Sequence, residues 1–178
     1  MNPLLIKLFA IMNSKPHQDA EEIIVNCAVI TVSDTRNEET DKSGQIIKKL
    51  LIKANHQIVA YDIVKDEPTA IKQQIFDLAT NPQLEVLIFN GGTGIAPRDT
   101  TYDVISDLLE KSLPGFGEIF RYLSYQEIGS RAIASRATAG VYQNKLIFSL
   151  PGSTNAVKLA MSELILPEIT HLVKQIQK

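Results

Sequence analysis

A chain of 178 residues is the length expected of one domain, so a second full catalytic domain is not expected. Its 18 Lys and Arg against 20 Asp and Glu leave a formal charge of −2, which excludes an overall basic footprint for nucleic acid or a membrane surface and makes any anion recognition local. The single cysteine, Cys27, excludes an intramolecular disulfide and suits a reducing, cytoplasmic setting, while His17, His56 and His171 are too scattered for a zinc motif.

Leu4 to Met12 is apolar but interrupted by Lys7, and it falls well short of the ~20 residues of a membrane helix. It reads as an appendage, either a short amphipathic helix against a neighbouring subunit or a frayed end, with a polar linker from Asn13 to Glu22. Residues 1–22 are therefore expected to be an extension and residues 23–178 the domain. The β-branched, apolar run Val25 to Val32 suits a central parallel strand buried on both faces, ended by Ser33-Asp34. Ser43 is expected to cap a helix in which Ile46, Ile47, Leu50, Leu51 and Ala54 recur at helical spacing while Lys48, Lys49 and Lys53 point outward. Ile58 to Val64 gives a second strand, Pro68 opens a helix through Ala79, and Leu84 to Asn90 makes a third strand.

That third strand runs straight into Gly91-Gly92-Thr93-Gly94, and a helix is predicted from about Thr101 to Lys111. Strands and helices alternating in this way argue for a three-layer α/β/α fold with a mostly parallel sheet, whose ligand crevice lies at the carboxyl ends of the strands. Further on come a helix around Glu118 to Glu127 and a small antiparallel hairpin, Thr138 to Tyr142 and Leu146 to Leu150, joined through Gln143-Asn144-Lys145. Pro151-Gly152-Ser153 opens the last helical region, which Pro167 divides or kinks.

Successive glycines let the backbone approach an anion and turn its N–H groups inward, so the loop from Gly91 to Gly94 is a candidate phosphate cradle. Glycine-rich turns also serve only to reverse the chain, and spacing alone leaves both readings open. Neither the Walker A nor the G-x-G-x-x-G dinucleotide pattern is present. Pro97-Arg98-Asp99-Thr100 sets a guanidinium, a carboxylate and a hydroxyl beside the cradle, although Asp99 or Thr100 would equally cap the next helix. Asp66-Glu67-Pro68 favours a helix macrodipole, and Ser153 is a natural N-cap. Arg36, Arg121, Arg131 and Arg136 are ordinary solvated or ion-paired groups unless several converge on one cleft. Cys27, in a core strand, is expected to be a small hydrophobe with a raised thiol pKa, and the stripe Phe116, Phe120, Leu123 with Tyr122 and Tyr125 a core or subunit contact.

Together, Val29 to Asp34, Asp41-Lys42-Ser43-Gly44, Asp66-Glu67, Gly91 to Gly94 with Pro97-Arg98-Asp99, Pro114-Gly115-Phe116, Ser135-Arg136-Ala137 and Leu150 to Ser153 resemble, in order and spacing, the molybdenum cofactor biosynthesis MoaB/MogA family. The segment Leu123-Ser124 through Glu127-Ile128-Gly129 is closer to the MoaB branch. The resemblance implies a molybdopterin-binding fold, a homotrimer or homohexamer, and an adenylyltransferase that joins AMP from MgATP to molybdopterin with release of pyrophosphate. By matching motifs it marks Asp66 and Asp99 as the important acids, and Gly91, Gly92, Thr93, Gly94, Arg98, Ser135, Arg136, Pro151, Gly152 and Ser153 as substrate- or nucleotide-binding positions. One departure is visible: Thr100-Thr101-Tyr102-Asp103 follows Asp99 where the MogA-type pattern reads Val-Thr-Pro-Glu.

A terminal phosphate with a second pKa of about 6 is mostly ionised at pH 7 and hardly needs a general base. Repulsion between two polyanions is the harder problem. Asp66 and Asp99 are therefore expected to hold Mg²⁺ rather than to abstract a proton. The rival expectations are a non-catalytic pterin-binding or scaffold protein, and an enzyme acting on pyridine nucleotides on a related domain.

Overall fold

In the computed structural model, which describes residues 23–177, strand β1 (Asn26–Val32) is buried along nearly its whole length, as its unbroken apolar run requires. The expectations for residues 1–22 lie outside the described residues. Helix α1 (Lys42–Lys53) returns the chain to β2 (Gln57–Val64), and α2 (Pro68–Ala79) returns it to β3 (Val86–Asn90). After α3 (Thr101–Leu108) come the two-residue strand β4 (Lys111–Ser112), α4 (Pro114–Ile128) and a 3-10 turn (Gly129–Ala134). The hairpin β5 (Thr138–Tyr142) and β6 (Lys145–Leu150) precedes α5 (Thr154–Ala160), a wide turn (Met161–Ile165) and α6 (Leu166–Ile176).

The sheet runs β2-β1-β3-β6-β5-β4. Its first four strands are parallel, β5 runs antiparallel to β6, and β4 pairs antiparallel with β5, which matches the expected mostly parallel sheet with an antiparallel hairpin. Alternate residues of each parallel strand feed two cores. Val29, Ile88 and Phe148 face a layer that includes Ile47, Leu51, Val157, Ile169 and Val173, whereas Ile30, Phe89 and Ile147 face Ile71, Ile75 and Ile105 of α2 and α3. The result is three layers. Phe89, Phe120 and Phe148 are among the largest fully buried side chains, each contributing roughly 1.5–3 kcal/mol by leaving water.

Four expectations need correction. The cap of α1 is Asp41, whose carboxylate accepts from the Gly44 amide at 3.0 Å, and not Ser43, whose hydroxyl instead donates to the Gly152 carbonyl at 2.8 Å. Helix α3 stops at Leu108 because Leu109 turns extended and the next backbone pairs with β5, making β4 where a helix end was expected. Helix α4 begins at Pro114, in the first turn where its fixed φ and missing N–H are tolerated, rather than near Glu118. The hairpin loop is Gln143-Asn144 alone, both at positive φ, with Lys145 already in β6. Pro167 does fall at the expected division, in the first turn of α6.

Candidate active site

The strand order reverses between β1 and β3, since α1 carries the chain to β2 on one side of β1 and α2 carries it to β3 on the other. In an open parallel sheet that reversal leaves a crevice at the carboxyl edge, where the loops after neighbouring strands diverge. Ser33 to Arg36 after β1, Asp66 after β2, Gly91 to Gly94 after β3 and Pro151-Gly152 after β6 all reach it. With Asp99, Arg131, Ala134 and Ser135 they line an open cavity of about 530 Å³.

The glycine loop keeps this shape because side chains have no place in it. Gly91 and Gly92 have φ of +102° and +63°, and a Cβ on Gly91 would run into the Val32 carbonyl. On Gly92 it would meet both the Thr101 hydroxyl and the Asp66 carboxylate. Asp66 is nearly buried, with one carboxylate oxygen accepting from the Thr100 amide at 3.0 Å and the Thr100 hydroxyl at 2.8 Å. Asp99 is turned back on its own loop, accepting from the Ala96 amide at 3.1 Å, and so closes the segment that follows Gly94. Both carboxylates thus enter the cavity wall on loops fixed by backbone hydrogen bonds.

Nine of the sequence-derived positions share the cavity wall, namely Asp66, Asp99, Gly91, Gly92, Thr93, Gly94, Ser135, Pro151 and Gly152. Three do not. Arg98 is exposed and pairs with Asp34 at 2.6 Å. Arg136 braces the glycine loop: its Nε donates to the Thr93 carbonyl at 2.9 Å, one Nη to the Gly94 carbonyl at 2.6 Å, and the other to Asp103 at 2.9 Å, with Tyr102 stacked at 4.7 Å. Ser153 caps α5 through the Ala156 amide at 3.3 Å. Conversely, Arg36 and Arg131 meet the condition of convergence, and Asp34 and Thr35 join them. For Asp34, Thr35 and Arg36 the signal was the polar loop that follows the first parallel strand, a place where ligand contacts concentrate, whereas Arg131 comes from the 3-10 turn after α4 and had no such local signal.

Magnesium suits one or two carboxylates completed by phosphate oxygens and water. Asp66 and Asp99 each commit one oxygen to a loop hydrogen bond, and no group of three or more acid, His or Cys side chains is placed to cage a metal among the described residues. The donor set therefore fits a cation arriving with substrate phosphates. Outside the cavity, burial in β1 and the nearby Glu85 charge push the Cys27 thiol from its ordinary 9.0 up to about 12, the inert core thiol expected.

A glycine loop, hydroxyls, carboxylates and guanidinium groups gathered at the reversal of a parallel sheet define a binding domain for an anionic small molecule. The chain belongs to the family described as "Probable molybdopterin binding domain", whose model matches residues 28–171. It is 54% identical over 168 residues to molybdenum cofactor biosynthesis protein B of Bacillus subtilis (strain 168), an alignment spanning 94% of this chain and 99% of that relative. A crystal structure of a molybdenum cofactor biosynthesis protein B superposes with a TM-score of 0.85 at 47% identity, over 87% of this chain and 97% of the other. The tungsten cofactor synthesizing protein MoaB from Pyrococcus furiosus superposes with a TM-score of 0.80 at 37% identity, over 89% and 100%.

Proposed function

We propose that this protein acts in molybdenum cofactor biosynthesis as a molybdopterin adenylyltransferase, transferring AMP from MgATP to the terminal phosphate of molybdopterin and releasing pyrophosphate. The observation that carries the reading is the meeting of Asp66 and Asp99, from loops after different strands, with the glycine loop in one cavity. The family and the relatives' names support the pathway, and the cavity chemistry supports the reaction. A cytoplasmic setting and a homo-oligomer of three or six chains belong to the same reading.

The residues divide the work as follows. Amides of Gly92, Thr93 and Gly94 orient phosphate oxygens, while the Gly91 amide anchors the loop on the Leu150 carbonyl at 3.0 Å, so the rigid turn costs no reorganisation when they bind. Thr93 and Ser135 offer hydroxyls to the same substrates. Asp66 and Asp99 would hold Mg²⁺, which supplies charge neutralisation on the phosphates when bound. A molybdopterin phosphate oxygen then forms a bond to the α-phosphorus of ATP, and the bond from that phosphorus to the β-phosphate oxygen breaks. Pyrophosphate leaves with the electron pair. The nucleophile is already ionised near neutral pH, so neither carboxylate has to accept a proton.

The test is direct. Purified protein mixed with molybdopterin and MgATP is expected to release pyrophosphate and adenylylated molybdopterin in equal amounts. Tight binding of molybdopterin with no pyrophosphate would replace this reading with that of a non-catalytic pterin carrier. That rival draws on one feature, the Asp99 carboxylate turned toward the Ala96 amide of its own loop.

A further inference from the structure

Beneath the cavity floor lies a carboxylate to which the reaction above gives no role. Asp41 has no exposed side-chain surface, and its neighbours supply an unusually complete set of donors. The Thr31 hydroxyl, the Tyr61 hydroxyl at 2.9 Å and the Gly44 amide at 3.0 Å all donate to it. Asn90 extends the chain by donating to the Thr31 oxygen at 2.8 Å, and the Lys48 ammonium sits 3.6 Å from the Tyr61 ring centre. Burying a carboxylate is costly, and hydrogen bonds together with a nearby counter-charge offset that cost. Arg36 supplies that counter-charge, with one Nη 3.6 Å from an Asp41 carboxylate oxygen.

Arg36 is thereby fixed at the boundary between that buried network and the cavity. One Nη donates to the Gly152 carbonyl at 3.0 Å, the same carbonyl that the Ser43 hydroxyl holds. Its own backbone amide donates to the Ser33 hydroxyl at 3.2 Å, which closes the loop that carries it. The side chain remains 32% exposed and lines the cavity, where Asp34 pairs with Arg98, Asp66 accepts from Thr100 and Asp99 accepts from the Ala96 amide. A guanidinium carries five N–H donors in a planar fork, and the pairing with Asp41 and the bond to Gly152 leave the rest of the fork for a ligand.

We infer that Arg36, held in place by Asp41, is a phosphate-binding arm of the cavity that takes a phosphate monoester or phosphoanhydride group of a bound substrate. Asp41 is the positioning residue of this arm. Two sources offer that chemistry, the triphosphate of ATP and the phosphate of molybdopterin. The inference rests on the reading that phosphate-bearing substrates enter this cavity, but it does not require that the protein turn them over.

Equilibrium binding of MgATP and of molybdopterin to the full chain separates the cases, with Arg36→Gln and Arg36→Lys compared to wild type. Arg36→Gln is expected to weaken one of the two ligands about 10- to 100-fold, the range of one charge-assisted contact, and the ligand affected identifies the source. Arg36→Lys keeps the charge but loses the fork, so its affinity is expected to lie between. Asp41→Asn, which releases the guanidinium, is expected to follow Arg36→Gln in ligand and direction. Affinity within twofold of wild type for both ligands in folded Arg36→Gln would overturn the proposal.

Should Arg36→Gln not fold, wild-type protein gives the answer through the rate at which phenylglyoxal modifies each arginine, read by peptide mass. ATP or molybdopterin is expected to slow modification of Arg36 severalfold while leaving the exposed Arg98 unaffected. Equal rates with and without both ligands would also overturn it. Loss of the adenylylation reading looks different: wild type would bind without releasing pyrophosphate, yet Arg36→Gln would still weaken binding.

Discussion

Gly92 is the residue on which the cavity wall turns. Its positive φ costs an L-residue about 1–2 kcal/mol, and an added methyl must displace both the Thr101 hydroxyl and the Asp66 carboxylate. Gly92→Ala is therefore expected to lower stability by about 1–3 kcal/mol in urea unfolding and to weaken phosphate ligands, because Asp66 moves. A variant as stable as wild type would show that the loop has slack. Asp66→Asn and Asp99→Asn address the acids themselves. Each is expected to cut pyrophosphate release by about 100-fold or more while molybdopterin binding stays within a few-fold, since only the charge held against the phosphates is lost. Unchanged turnover in both would remove the metal-holding role. Two buried or half-buried groups outside the cavity make stability depend on pH in the alkaline range. Burial with the Glu85 charge raises the Cys27 thiol to about 12, and burial with its hydrogen bond to Asp41 raises the Tyr61 phenol above its ordinary 10.0. Both groups have folded-state pKa values above their unfolded ones, so their contribution is complete below pH 9 and declines as pH rises beyond it. Stability measured by urea midpoints is expected to fall from pH 8 to pH 10.5, by at most about 1.4 kcal/mol per pH unit for each titrating group, and Cys27→Ala is expected to flatten part of that slope. An identical slope in Cys27→Ala would mean the thiol is not shielded.

At the scale of elements, legibility followed the source of each element's stability. β1, β3 and β6 are buried by their own apolar runs, so Val29, Ile88 and Phe148 announced them in the sequence. β4 did not announce itself, because Lys111 and Ser112 are exposed and polar and are held only by pairing with Val141 and Gly140. Its strand character is tertiary. The cap of α1 was missed for a related reason: Asp41 and Ser43 are both good caps, and the choice depends on Gly152, which lies far along the chain and takes the Ser43 hydroxyl. The small edge strand makes its own prediction through Gly140. A Cβ there would clash with the Lys111 carbonyl and come within 2.7 Å of the Leu109 side chain. Gly140→Ala is expected to push β4 away from β5, costing about 1–3 kcal/mol by overpacking, and to speed hydrogen exchange at the Leu113 amide, which donates to Ala139. The parallel strands β1 and β3 should keep their protection. Unaltered exchange at Leu113 would show that the edge tolerates a methyl group.

For the molecule as a whole, the site was legible as a set of loops and illegible as a surface. Motif order brought Asp66, Asp99 and both glycine-bearing loops forward, but only folding reveals that Arg36 and Arg131 face the same space while Arg98, Arg136 and Ser153 serve the loops instead. Pairing partners such as Asp34 for Arg98 lie 64 residues apart, and no local pattern encodes that choice. The outer face of α4 presents the remaining question of scale. Tyr122 and Tyr125 are 62% and 61% exposed, Ile119 and Ile128 are each 50% exposed, and Ile133 just beyond is 86% exposed. Residues three apart on a helix are neighbours, so Ile119, Tyr122, Tyr125 and Ile128 form one continuous apolar band. Monomers rarely leave such a band in water, and a closed ring of identical chains covers it without creating new edges. Light scattering is accordingly expected to give a mass three or six times the 19.7 kDa of one chain. The double variant Ile119→Glu with Tyr122→Glu is expected to reduce it to a single chain that remains folded by circular dichroism. Ile133 sits between Arg131 and Ala134, which line the cavity, so dissociation should loosen that wall and raise KM more than it lowers kcat. A double variant that keeps the wild-type mass would place the subunit contact on another face, and an unassociated wild type would leave the band without a partner of its own kind.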